Sequence, residues 1–219
     1  LNKIKREMVA FLAILYTFPL LCLAAVLVRC LSRGVAVHYF MREPQVLGGL
    51  HPLAGAISNL GVLFWAACAA ILLFSCLVLW RLKTEKGFTI FLFYSAVLTS
   101  ILMLDDLFML HESLLKVYCG LQEFHSYIAY ILMFVIGGIA FRKQILKTDY
   151  FILFFVFGFW GVSILFDMSA HEIERYIDGS YRILIEDGSK YFGIVTWFGY
   201  YTGTCFHAIM EAVKGEKPA

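Results

Sequence analysis

Six apolar runs of about twenty residues divide this chain, near residues 8–28, 53–80, 88–115, 125–141, 150–170 and 191–210. A bilayer core about 30 Å thick is crossed by roughly 20 helical residues rising 1.5 Å each. In hydrocarbon every backbone N–H and C=O must be paired within the protein, and barrel strands need only about half this length. The expected fold is therefore all-α: an integral membrane bundle of six transmembrane helices, forming one transmembrane domain over residues 1–219. Turn residues separate the runs: Gly34, Pro44 and Gly48-Gly49 after the first, Gly87 before the third, Gly120 before the fourth. Asp178-Gly179 and Asp187-Gly188 precede the sixth. The first run is longer than a signal-peptide apolar core and is read as a span.

Composition agrees, with 61% hydrophobic and only 16% charged residues. That leaves too few charges to coat an extended soluble domain. A net charge of +2, with basic residues in short clusters between apolar runs, excludes nucleic acid as a partner. The expected partners are the lipid bilayer and, in one reading, other membrane subunits. Six cysteines form no C-x-x-C pair, so no disulfide framework is implied. Sorting the eighteen Lys and Arg by connection puts eleven with the two termini and seven opposite. Positive loops stay inside, so both termini are expected in the cytoplasm, in a bacterial inner membrane.

The acids divide the other way. Eleven of sixteen fall at or near the outer side, as do His38, His51, His111, His125 and His171. Lys83-Thr84-Glu85, then seventeen uncharged residues, then Asp105-Asp106 and His111-Glu112, is echoed by Lys147-Thr148-Asp149, seventeen residues, Asp167 and His171-Glu172. The layout reads as a weak repeat of helical hairpins, spans 3–4 and 5–6. In each, the acid arrives about 25–27 Å along the helix, at the outer hydrocarbon boundary. An aspartate at mid-membrane costs roughly 2.5–3.5 kcal/mol; at the boundary, water, a proton or a cation offsets most of this.

Mixed carboxylates and imidazoles on several helices are what a borderline divalent metal such as Zn, Mn or Fe requires. Asp105, Asp106, His111, Glu112, Asp167 and His171 are the candidate ligands, with Asp105, Asp167 and His171 foremost. Glu186 and Asp187 are the candidate catalytic base or supporting acids. On a straight helix Asp105 and Glu112 share one stripe, Asp167, His171 and Glu174 another, and His111 sits about 120° from Asp105. Asp187 or Ser189 is expected to cap the last span. The opposing reading makes the acids helix-end groups satisfied by water, Lys or Arg. Haem is disfavoured, and His207 with Glu211 lies too far along the last span to join the outer group.

From Leu104-Asp105-Asp106 to His111-Glu112 the chain resembles a group of uncharacterised bacterial multi-pass membrane proteins with an L-D-[DE]-x4-H-E segment and a later acidic pair with glycine, here Glu186-Asp187-Gly188. The likeness covers about residues 53–205 and implies a site without naming a reaction. A fainter likeness to alkaline ceramidase-like membrane hydrolases rests on acids and histidines near helix ends. Their Ser-x3-His and His-x3-His segments are missing here. The leading expectation is an outer-face Asp/Glu/His cluster that binds a divalent metal, in a hydrolase or oxidoreductase acting on a lipid-like or small substrate. A non-catalytic accessory subunit of a larger membrane assembly is the alternative, and ion or proton translocation the third.

Overall fold

The computed structural model describes the backbone of residues 2–215 and the side chains of 16–122 and 124–215. The described chain is all-helical and divides into two compact units, Leu1–Ala54 and Gly55–Ala219. The first holds α1 (Asn2–Arg33), α2 (His38–Met41) and α3 (Pro44–Leu47). Its Tyr16–Arg33 stretch is long and apolar enough to cross a membrane. Part of the expected 8–28 span, up to residue 15, lies outside the described side chains.

The second unit is built on four long helices: α4 (Ala56–Arg81), α5 (Lys86–Phe108), α9 (Phe151–Met168) and α11 (Gly179–Gly215). Helix α11 packs against both α4 and α9, and α4 against α5. Between α5 and α9 run a π-helical turn (Leu110–Leu114), α6 (Leu115–Cys119), α7 (Glu123–Ala140) and α8 (Arg142–Ile145); α10 (Ala170–Ile173) links α9 to α11. Among the described residues four helices meet the length and apolarity of a span, or five if the bent segment Leu110–Cys119 with Phe124–Ala140 counts as one. The protein is thus an integral membrane protein by its helices, with exposed Phe74, Phe93, Phe154 and Phe155 available to lipid. The last expected span does not reach that apolarity because Gly, Thr and Tyr interrupt residues 191–210.

Aromatic rings fill the centre. Trp160 and Trp197 lie 5.5 Å apart, Trp65 is 5.7 Å from Trp160, and Phe134 meets Trp197 edge-on at 5.8 Å. Buried polar atoms among the core aromatics find partners, as burial demands. Trp197 Nε1 donates to Thr99 Oγ1 (3.1 Å), and the Tyr201 hydroxyl to Ser95 Oγ (2.9 Å). Glycines let these rings approach the neighbouring backbone. Trp160 rests on Gly193, and a Cβ at Gly137 would fall 2.6 Å from Tyr94 Cε1. The Tyr94 hydroxyl donates to Met133 O at 2.6 Å, which ties α5 to α7.

Two element boundaries depart from expectation. The third helix stops at Phe108 because Met109 adopts a left-handed conformation (φ 49°), from which its N–H bonds Asp105 O. The sixth begins at Gly179, so Glu186, Asp187 and Ser189 sit inside α11 and do not cap it. Asp178 does the capping: its Oδ1 accepts the Ser180 N–H at 2.8 Å.

Candidate functional site

Asp105 occupies the last turn of α5 and is 6% exposed. The left-handed residue after α5 turns the chain back, so His111 reaches Asp105 twice. The His111 backbone N–H donates to Oδ1 at 2.9 Å, and Nδ1 lies 2.7 Å from Oδ2. The Tyr130 hydroxyl of α7 faces the same carboxylate. A carboxylate holding Nδ1 fixes both the ring plane and the tautomer, leaving Nε2 as the free atom. Tyr127 packs on the imidazole, its ring 5.5 Å from it. Nε2 stands 3.6 Å from Glu112 Oε1. The straight-helix stripe that paired Asp105 with Glu112 is therefore replaced: the break at Met109 brings His111 onto Asp105, with Glu112 beyond the ring.

Asp106, one residue along, turns to other partners. It forms an ion pair with Lys190 of α11 and accepts the Trp65 Nε1–H at 3.1 Å from α4. Its carboxylate is 9% exposed, so Lys190 neutralises a charge that the bundle encloses. Three helices meet at this one side chain. The two motif elements, residues 104–112 and 186–188, are joined by Lys190, which lies one helical turn beyond Glu186.

The remaining sequence-derived candidates are placed as follows. Asp167 accepts the Tyr127 hydroxyl at 3.0 Å, so it touches the Asp105–His111 dyad through that ring. Glu186 forms an ion pair with Arg182, which also holds Glu174 at 2.8 Å. Burial pushes the Glu186 carboxyl above its ordinary range, and the charges of Asp167 and Asp187 add to this against the opposing Arg182. Asp187 is exposed. His171 is exposed on α10, its Nε2 facing Arg175 Nη2 at 3.2 Å, because α9 ends at Met168 and breaks the expected 167–171–174 stripe. His51 Nδ1 accepts the Leu53 N–H, and His125 turns to Gln122 O, so neither joins the dyad.

Asp105, Asp167 and His171 do not converge as a three-ligand set. Among the described residues no group of three or more His, Cys, Asp or Glu side chains is arranged to hold a metal ion. Tyr127, Tyr130, Lys190 and Trp65 went unnoticed in the sequence. Only Lys190 carried a usable signal there, a cation one turn from an acidic pair; the aromatics looked like ordinary span residues.

A family model described as a domain of unknown function (DUF8692) matches residues 10–204. No curated protein and no solved structure matches the chain.

Proposed function

The chain belongs to the DUF8692 family, and on that premise we propose a membrane-embedded acid–base centre in which His111 Nε2 is the proton acceptor and Asp105 orients it. The observation that carries this is the double grip of Asp105 on the His111 backbone N–H and Nδ1. It leaves one imidazole nitrogen with a lone pair beside Glu112 at the boundary of the apolar layer. A positioned imidazole of this kind contributes about 10²–10⁴-fold to proton transfer. The substrate class that fits is a lipid-like or small molecule reaching the site from the bilayer edge. The same reading adopts six spans with both termini inside, the dyad at the outer face, and hairpins 3–4 and 5–6 as repeats. It is supported by breaks just past both acids, at Met109 after α5 and Ser169 after α9.

The test needs no substrate. In ¹⁵N-histidine NMR of the purified protein, neutral His111 is expected as the Nδ1–H tautomer, and Asp105→Asn should release it to the Nε2–H form common in free imidazole. An Nε2–H tautomer in the unmodified protein would remove the proposal. A panel of lipid esters and amides then seeks turnover that His111→Gln abolishes.

A cation is the second reading, favoured by one distance. Two ligands of a tetrahedral ion with bonds of about 2.0–2.1 Å stand roughly 3.3 Å apart, near the 3.6 Å between His111 Nε2 and Glu112 Oε1. Asp105 would then act as the carboxylate behind a metal-bound histidine. Zn, Mn or Fe retained through purification, and lost together in His111→Ala and Glu112→Gln, would select this reading over the first.

A further inference from the structure

At the other end of the second unit a cavity of about 540 Å³ opens between the start of α5, the segment after α8 and the last third of α11. Phe88 on its wall and Asp105 of the dyad are seventeen residues apart on α5, or about 25 Å. The two sites are separate. The volume falls in the range of pockets that enclose small molecules.

The lining has two characters. Leu79, Phe88, Ala208 and Ala212 make an apolar wall. The opposite wall is polar and its inner end is fixed by a chain of hydroxyls. Thr148 donates to Ile145 O at 2.7 Å, so its oxygen accepts from the Tyr200 hydroxyl 2.8 Å away. Tyr200 is 1% exposed, and Thr204, which faces it, 8%. At the rim stand three carboxylates, Glu85, Asp149 and Glu211, one lysine, Lys147, and one imidazole, His207. Lys147 is committed, its Nζ 2.9 Å from Glu85 Oε2. Among the described residues no basic side chain forms an ion pair with Asp149 or Glu211.

We propose that this cavity binds the ammonium group of a small aliphatic amine. The hydrocarbon part lies against Leu79 and Phe88, and the cation turns toward Asp149 and Glu211. An anion of the same size meets two uncompensated carboxylates, and a neutral alcohol gains no ionic attraction. An ammonium group can come from a soluble amine or from a lipid headgroup, and the experiment separates the two.

The whole chain, purified in a non-ionic maltoside micelle, is titrated calorimetrically with cadaverine, with 1,5-pentanediol and with glutarate. Saturable binding is expected for cadaverine alone. Asp149→Asn and Glu211→Gln should each weaken it about two- to fivefold, as exposed ion pairs do, and the double variant about tenfold or more. Both side chains are exposed, so thermal midpoints should not move. If one does, the salt dependence of the unmodified protein serves in its place, with affinity falling as ionic strength rises. Absence of saturable cadaverine binding, equal binding of pentanediol, or an unchanged affinity in the double variant or in high salt overturns the proposal. Repeating the titration with phosphatidylethanolamine in the micelle assigns the source: lost cadaverine affinity means the headgroup occupies the cavity, and retained affinity means a soluble amine. The His111 tautomer is untouched by these variants, so either site can fail without the other.

Discussion

Asp105 and Asp106 are adjacent in the chain and part company in space. Successive helical side chains diverge by about 100°, which sends Asp105 to His111 and Asp106 to Lys190 and Trp65. The second pair makes a stability prediction. Lys190→Met strands the Asp106 charge, and since the lysine itself is 40% exposed, the cost is discounted from that of a fully buried pair to about 1–3 kcal/mol. Thermal unfolding in detergent should show the loss, and Asp106→Asn added to Lys190→Met should recover most of it. No recovery would mean that Lys190 acts elsewhere. Glu186 supplies a pH effect of known sign. Its carboxyl is raised by burial and by Asp167 and Asp187, so the native state holds the proton more tightly than the unfolded chain. Stability from this group therefore falls as pH rises from the ordinary carboxylate value, about 4.3, through the higher native one. Glu186→Gln should flatten that part of the stability profile.

At the scale of elements, helix ends decide where chemistry can sit. Met109 in the left-handed region stops α5 four residues after Asp105 and makes the return of His111 possible. Asp178 starts α11 by accepting the Ser180 N–H, and hydrogen bonds from the Ser180 backbone and side chain hold its carboxyl below the usual range. A depressed carboxylate contributes stability above its unfolded value, near 3.9, and loses it as pH falls through the lower native value. Asp178→Ala should fray the first turn of α11, read as faster amide exchange there, and the difference from the unmodified protein should shrink below about pH 4. Close approach between helices gives another test. Gly137→Ala places a Cβ against the Tyr94 ring, and overpacking of that kind costs about 1–3 kcal/mol. A thermal midpoint equal to that of the unmodified protein would show that α7 shifts away at no cost.

On the scale of the molecule, the second unit carries a separate group of paired charges at each end. The Asp105–His111 dyad and the Asp106–Lys190 pair gather near the end of α5, while the amine cavity and the Glu85–Lys147 pair lie at its beginning. The proposed orientation has a direct measurement. On a cysteine-free background in intact cells, a membrane-impermeant maleimide should label Arg175→Cys and leave Lys143→Cys unlabelled until the membrane is broken. The reverse pattern would invert the topology and move the dyad to the inner face.

Long apolar runs were sufficient to announce an all-helical membrane protein, because the bilayer forces the backbone to satisfy itself locally and length then reads out directly. The concentration of Asp105, Asp106, His111 and Glu112 in the last part of one such run was equally visible, since a charge near hydrocarbon always needs a partner. Which partner each one takes was not. That depended on Met109 bending the chain, on Ser169 detaching His171 from Asp167, and on α11 starting early enough to carry Lys190 inward. Pairing is a matter of distances between segments far apart in the chain, such as Trp65 with Asp106 across forty-one positions. Spacing along one helix holds no information about those distances; only the packing of α4, α5, α7 and α11 fixes them.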